Sequence, residues 1–228
     1  MPSTTPVLLK IDFVSDVVCP WCAIGLEALT QAAERLGAVA SLDWHVQPFE
    51  LNPAMAPEGE DLLAHLAAKY GAAPAQLAQT HAQIAARGAR LGFVFAPGRT
   101  RIYNTLAAHR LLHWLEVEGA PGQQLALKRA LLKAYFSDGE NVGDAQLLLR
   151  LVAALGLCVE RARAVLQSGE YTAEVRARQA HWQQLGIRSV PAVIVNDRHL
   201  IEGGQPVEVF EQALRKIASE PIEPRNGS

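Results

Sequence analysis

Ser15-Asp16-Val17-Val18-Cys19-Pro20-Trp21-Cys22 is the stretch on which the fold turns. Before it, the apolar and β-branched run from Val7 to Phe13 reads as a short buried strand, closed by the turn residues Ser15-Asp16. After it, Cys22, Leu26, Leu29, Ala33 and Leu36 recur at steps of three and four, so an amphipathic helix follows, with Gly37 as its stop. Pro20 falls in the first turn of that helix, where a missing N–H costs nothing. The two cysteines therefore lie where a strand hands over to a helix.

Working outward, Ser41 to Gln47 alternates, with Leu42, Trp44 and Val46 on one face, and Pro48 ends the pattern. The opening is strand, helix, strand, which implies a parallel crossover. From about Asp61 to Gly186 the periodicity is helical throughout; one helix starts at Asp144 as N-cap and carries Leu147, Leu148, Leu151, Val152 and Leu155. Beyond Gly186, Ala192 to Val195 and His199 to Ile201 flank the turn dipeptide Asn196-Asp197, which predicts a hairpin. Pro206 then opens a last helix with Val207, Phe210, Leu214 and Ile217 on its apolar face. The order is βαβ, a helical block, then ββα, an α/β chain whose outer pieces can share one mixed sheet. The expected division is 1–57 and 187–220 for the sheet domain, 58–186 for a helical insertion that could act as a lid, and 221–228 for a loose tail.

Composition narrows the function. The 228 residues are 50% hydrophobic, enough for a sizeable core, and 21 Lys and Arg against 23 Asp and Glu give a net charge of −2. No basic block is present, so nucleic acid is not an expected partner. No stretch of ~20 apolar residues and no signal-like N-terminus is seen, so neither a membrane nor export is expected, and the location read from the sequence is cytoplasmic. Three cysteines are too few for a disulfide framework, and in a reducing compartment a close pair points to redox or metal chemistry.

A Cys-x-x-Cys on the first helical turn puts the second sulfur one turn beyond the first and on the same face. Cys19, at the N-terminal edge, meets unpaired N–H groups and the positive end of the helix dipole, which favour thiolate; it is the expected exposed nucleophile. Cys22, on the apolar stripe, is the expected buried resolving thiol. Pro20 stiffens the four-residue ring and Trp21 offers an apolar surface beside the sulfur. The alternatives are half a zinc site or an incidental pair, and zinc wants four ligands where no second Cys-x-x-Cys or close Cys/His pair exists. No metal and no organic cofactor are expected. Val190-Pro191 precedes the Ala192 run; the residues alone favour a plain loop-to-strand proline over a cis bond. A cis bond would set the Pro191 ring against the dithiol and leave the Val190 backbone free to pair with a substrate.

Further residues carry weaker signals. Asn104, Thr105 and His109 are assigned to a helical segment as capping or core residues, and Cys158 to an incidental free thiol at a helix start. Trp44, Trp114 and Trp182 read as core, and His65, His81 and His113 receive no role.

Taken together, Ser15 to Cys22, Asn104-Thr105 with His109-Arg110-Leu111, Ser189-Val190-Pro191-Ala192-Val193 and Glu202-Gly203-Gly204-Gln205 make the chain resemble the DsbA-like thioredoxin superfamily, closest to its cytoplasmic FrnE-type branch. The likeness runs from about Leu8 to Ala218. It implies a thioredoxin fold with an inserted helical domain, a cis proline at Pro191 opposite Cys19, and protein disulfide oxidoreductase or isomerase activity on thiol- or disulfide-containing proteins or small molecules, with glutathione as a conceivable redox partner. In the same superfamily, glutathione-dependent kappa-class transferases and 2-hydroxychromene-2-carboxylate isomerases carry serine at the first cysteine. Cys19 argues against that branch, although Asn104 could line a similar small-thiol pocket. A third reading is a chaperone-like module that binds through the apolar surface of the insertion.

Overall fold

A computed structural model describes residues 6–220. The proposed tail, 221–228, lies outside them. In chain order the elements are β1 (Val7–Ser15), α1 (Pro20–Leu36), β2 (Ala40–Pro48), β3 (Glu60–Asp61), α2 (Leu62–Tyr70), α3 (Pro74–Arg90), β4 (Arg101–Ile102), α4 (Leu106–Glu118), α5 (Gln123–Phe136), α6 (Ala145–Ala154), α7 (Val159–Ser168), α8 (Thr172–Gln184), β5 (Ala192–Val195), β6 (His199–Glu202) and α9 (Val207–Ala218).

The outer pieces share one sheet, in the order β2-β1-β5-β6. β1 pairs in parallel with β2, Val7 opposite Ala40 through Ser15 opposite Pro48, and antiparallel with β5, Val14 opposite Ala192. With neighbours on both edges, β1 is buried without a break from Ile11 to Ser15, which is why its sequence there does not alternate in polarity. The β5–β6 turn places Asn196 and Asp197 at φ 54° and 59°, the left-handed pair a two-residue hairpin needs. Asn196 Oδ1 then accepts from the backbone N–H of Lys10, at 3.0 Å, tying the turn to β1.

The helical block does not stand apart. Helices α4, α5 and α8 pack on β2, and one buried cluster runs from Leu9, Ile11 and Phe13 through Leu26 and Leu29 to Leu111, Leu131, Tyr135 and Phe136. The outer edge of β2 is covered by a side chain: Gln124 of α5 accepts from the Val46 N–H at 2.8 Å and donates to the Val46 carbonyl at 3.0 Å. It thus supplies what a neighbouring strand would. The block holds one feature that helical periodicity does not reveal, the two-residue ladder of β3 with β4. Two residues per side are too few to show alternation. Helix α4 starts at Leu106, so Tyr103, Asn104 and Thr105 precede it. Among the described residues no helix is long and apolar enough to cross a membrane.

Candidate functional site

β1 ends at Ser15, and four residues later Cys19 is the N-cap of α1, with φ −93° and ψ 115°; its carbonyl accepts from the Cys22 N–H at 3.0 Å. Pro20 is the first residue of the helix. The handover from strand to helix thus fixes both sulfurs on one turn. Cys22 is 0% exposed. Cys19, expected to be exposed, is only 4% exposed. The reason is long-range: Val190 covers one side, and α2 and α3 line the other.

The two thiols are driven apart in acidity. A hydrogen bond from Cys22, joined by the backbone N–H groups of Cys22 and Trp21, holds Cys19 below the ordinary thiol value against burial and the charge of Asp16. Burial, with the neighbouring Cys19, lifts Cys22 well above it. One thiol is prepared to be thiolate while its partner stays protonated, the division of labour that exchange requires.

Opposite Cys19, the Val190-Pro191 bond is cis. The Cys19 thiol lies 3.5 Å from the Val190 carbonyl, to which it donates when protonated. Cys19, Cys22, Val190, Ala192, Ile187, Phe49, Val14 and Trp182 form a small apolar cluster of their own. Trp182 is therefore core, as its periodicity indicates, but it is the core of the redox site. Gly25 is required here: a Cβ at this position would stand 2.9 Å from Pro191 Cγ and 3.3 Å from Gly204 Cα.

Charged groups lie beneath the dithiol. Asp16 is fully buried; its carboxylate accepts from the N–H of Val17 at 2.7 Å and of Leu51 at 2.8 Å, and faces His109 Nε2 at 3.2 Å. Burial alone would raise its pKa, but these partners hold it below the ordinary value. His109 is pushed down by burial and is the neutral donor of that pair. Lys128 of α5 is 0% exposed with no hydrogen-bond partner for Nζ; burial lowers its pKa, and the charges of Cys22, Asp16 and Cys19 oppose that. Glu50, 2% exposed and 2.7 Å from Arg176, is raised to about 7, mainly by burial. Sequence reading made Asp16 a turn residue and His109 a core or cap residue, and gave Lys128 and Glu50 no role. The available signals were Asp16 three residues before Cys19, and a lysine amid the apolar stripe Leu127, Leu131 and Leu132.

Beside Cys19 runs a groove of about 380 Å³. Val18, Cys19, Pro20 and Trp21 form one wall, and Leu62, His65, Leu66 and Lys69 of α2 with Leu77, Thr80, His81 and Ile84 of α3 form the other. His65 and His81, left without a role above, are thus brought to the dithiol. Asn104 does not line this groove: its amide donates to the Met55 carbonyl at 2.7 Å, and its Oδ1 accepts from the Leu106 N–H at 2.9 Å, a capping contact. Arg87 of α3 lies 5.3 Å from the Trp21 ring centre and donates to the Gly204 carbonyl, so it joins α3, the cysteine motif and the loop after β6. Cys158 caps α7 and is exposed, away from the groove. Among the described residues no group of three His, Cys, Asp or Glu could hold a metal.

Comparison with known proteins agrees with this geometry. The family model of the DSBA-like thioredoxin domain matches residues 10–215. The Bacillus subtilis protein YwbO is 27% identical over 207 residues, covering 90% of this chain and 96% of its own. The crystal structure of a probable DsbA oxidoreductase from Streptomyces coelicolor superposes with a TM-score of 0.86 at 30% identity, over 95% of this chain and 93% of that one. The cytosolic disulfide reductase DsbM of Pseudomonas aeruginosa, solved with GSH, shares the fold, with a TM-score of 0.61 at 19% identity over 91% and 98% of the two chains. A sheet split by a helical block, a dithiol at the head of its first helix and a family match spanning both have one reading: this chain belongs to the DsbA-like thioredoxin family of thiol–disulfide oxidoreductases.

Proposed function

We propose that the chain exchanges disulfides through Cys19 and Cys22, acting as an oxidoreductase or isomerase in the cytoplasm, without metal or organic cofactor. Cys19 thiolate attacks a substrate disulfide, a mixed disulfide forms, and Cys22 resolves it by attacking the Cys19 sulfur. The observation that carries this reading is the geometry of the pair, Cys19 at the N-cap of α1 and Cys22 one turn inside it, with the Cys19 acidity shifted down and that of Cys22 shifted up in support. The Val190 backbone at 3.5 Å from Cys19 supports it, since an extended substrate can pair there.

The test combines alkylation and trapping. Iodoacetamide should modify Cys19 with a pH midpoint below the ~8.5 of a free cysteine. Cys22→Ser should accumulate a mixed disulfide with disulfide-bonded insulin, which the intact pair resolves, and Cys19→Ser should reduce insulin no faster than buffer. An ordinary Cys19 midpoint together with insulin reduction that survives Cys19→Ser would defeat the proposal. Equilibration of the couple in glutathione buffers gives the direction of electron flow.

A further inference from the structure

Cys22 has to lose a proton before it can attack, yet it is 0% exposed, so no base in bulk water can collect that proton. Lys128, from the helical block, is also 0% exposed, and its Nζ has no hydrogen-bond partner. Its place is fixed by its neighbours on α5. One turn earlier, Gln124 bonds the Val46 backbone of β2; next to it, Arg129 donates to Thr30 Oγ1 of α1, at 2.7 Å. Two turns later, Tyr135 and Phe136 lie under the guanidinium of Arg99, which lines the groove beside Cys19. The lysine is thus held between β2 and α1, on the inner side of the dithiol, and the charges that reach it are those of Cys22, Asp16 and Cys19. The other buried polar groups nearby are already engaged. Asp16 accepts from Val17, Leu51 and His109; His109 commits Nε2 to Asp16; Glu50 faces Arg176. A buried amine without a partner is driven towards its neutral form, and a neutral amine is a base.

We infer that Lys128 is the proton acceptor for Cys22: its neutral amine takes the thiol proton as Cys22 attacks the mixed disulfide. The inference rests on the exchange reading above. In the step itself, the S–H bond of Cys22 breaks and its proton binds Nζ of Lys128, giving an ammonium. The electron pair left on Cys22 forms the bond to Cys19 Sγ, and the pair of the old Cys19–SR bond departs with RS⁻. The ionised Asp16 steadies the ammonium while it lasts. Once the disulfide has closed, no thiolate remains beside it, and the buried ammonium gives up its proton to solvent, where RS⁻ takes one. In the reducing direction the same atoms run backwards, and Lys128 returns a proton to Cys22. The helical block would then supply chemistry to the dithiol as well as cover.

The experiment is stopped-flow oxidation of the reduced full chain by dithiobis(nitrobenzoate), which separates the two cysteines. One coloured thionitrobenzoate leaves when Cys19 attacks, and a second leaves when Cys22 closes the disulfide. Lys128→Met keeps the length of the side chain and removes the base; with no buried amine left unpaired, it should unfold at the same urea concentration as the wild type or a higher one. At neutral pH the second release is expected to slow by about a hundredfold, the range of a lost general base, while the first changes by less than about twofold. The pH profile carries the signature that packing alone would not give. In the wild type, Cys22 and Lys128 share one proton before and after the transfer, so the second release should be flat with pH wherever the pair holds it. In Lys128→Met it should rise by about tenfold per pH unit, as solvent alone ionises the thiol. Lys128→Gln, neutral and of similar length, should show the same slope, which guards against a packing fault peculiar to methionine. A second release that keeps its wild-type rate and flat profile in both variants overturns the inference and leaves exchange intact, as does an equal slowing of both releases. No first release above the level of Cys19→Ser removes the exchange reading as well.

Discussion

Asp16 acts on the two cysteines in opposite senses. Its carboxylate works against thiolate on Cys19, while its backbone N–H favours thiolate on Cys22. Removing only the charge separates the two. Asp16→Asn is expected to lower the Cys19 pKa further, so that alkylation persists to lower pH than in the wild type, and to cost about 1–3 kcal/mol in urea unfolding because His109 loses its ionised partner. A Cys19 profile that moves to higher pH would contradict the placement of that charge. At this scale the sequence was readable where chemistry is local. Cys19, Pro20 and Cys22 lie within one turn, and their roles follow from helix geometry. Lys128, His109, Lys69 and Arg99 reach the site from positions 50 to 109 residues beyond it, and no periodicity encodes which polar side chain a fold will turn inward. The burial of Cys19 was missed for the same reason.

Among the elements, α3 has a double task, forming one wall of the groove and bearing on the cysteine motif through Arg87. Gln31 of α1 adds a second tie, donating to the Leu91 carbonyl just past the end of α3, at 2.9 Å. Arg87→Ala should loosen this wall. A loss of about 1.4 kcal/mol from the clamp would raise the rate at which iodoacetamide reaches Cys19 about tenfold. The midpoint of the pH profile should stay in place while its plateau rises, because access changes and acidity does not. A plateau equal to that of the wild type would show that α3 is held by its apolar face alone. The strands and helices around this wall were legible from their periods, down to the Asp144 cap, whose side chain accepts from the Gln146 N–H. The β3–β4 ladder was not, and neither was the docking of α2 and α3 over the dithiol, which depends on tertiary packing rather than on either helix's own pattern.

For the molecule as a whole, Glu50 makes stability depend on pH. Its pKa is raised from 4.5 to about 7, so between these values the folded chain holds a proton that the unfolded chain has lost. Stability from this group therefore falls as pH rises from 4.5 to about 7, and the full penalty remains above that. Glu50→Gln removes the titration, so its stability relative to the wild type should climb over that window and then level off, as followed by urea unfolding at a series of pH values. A difference that shrinks with rising pH would contradict a buried, reluctant carboxylate.

The position of β1 at the middle of the sheet governs how the molecule comes to exist on a ribosome. Its first neighbour, β2, is made soon after it, but Val14 must wait for Ala192 before its other edge is paired. Contacts separated by such a length of chain form late, because the loop entropy between them has to be met first. Until then the nascent chain exposes a strand edge and both thiols without the Val190-Pro191 wall. The dithiol is made long before the Val190-Pro191 segment that walls it, so the redox centre is completed late. Until the segment around Val190 is made, the fold gives Cys19 and Cys22 no cover on that side.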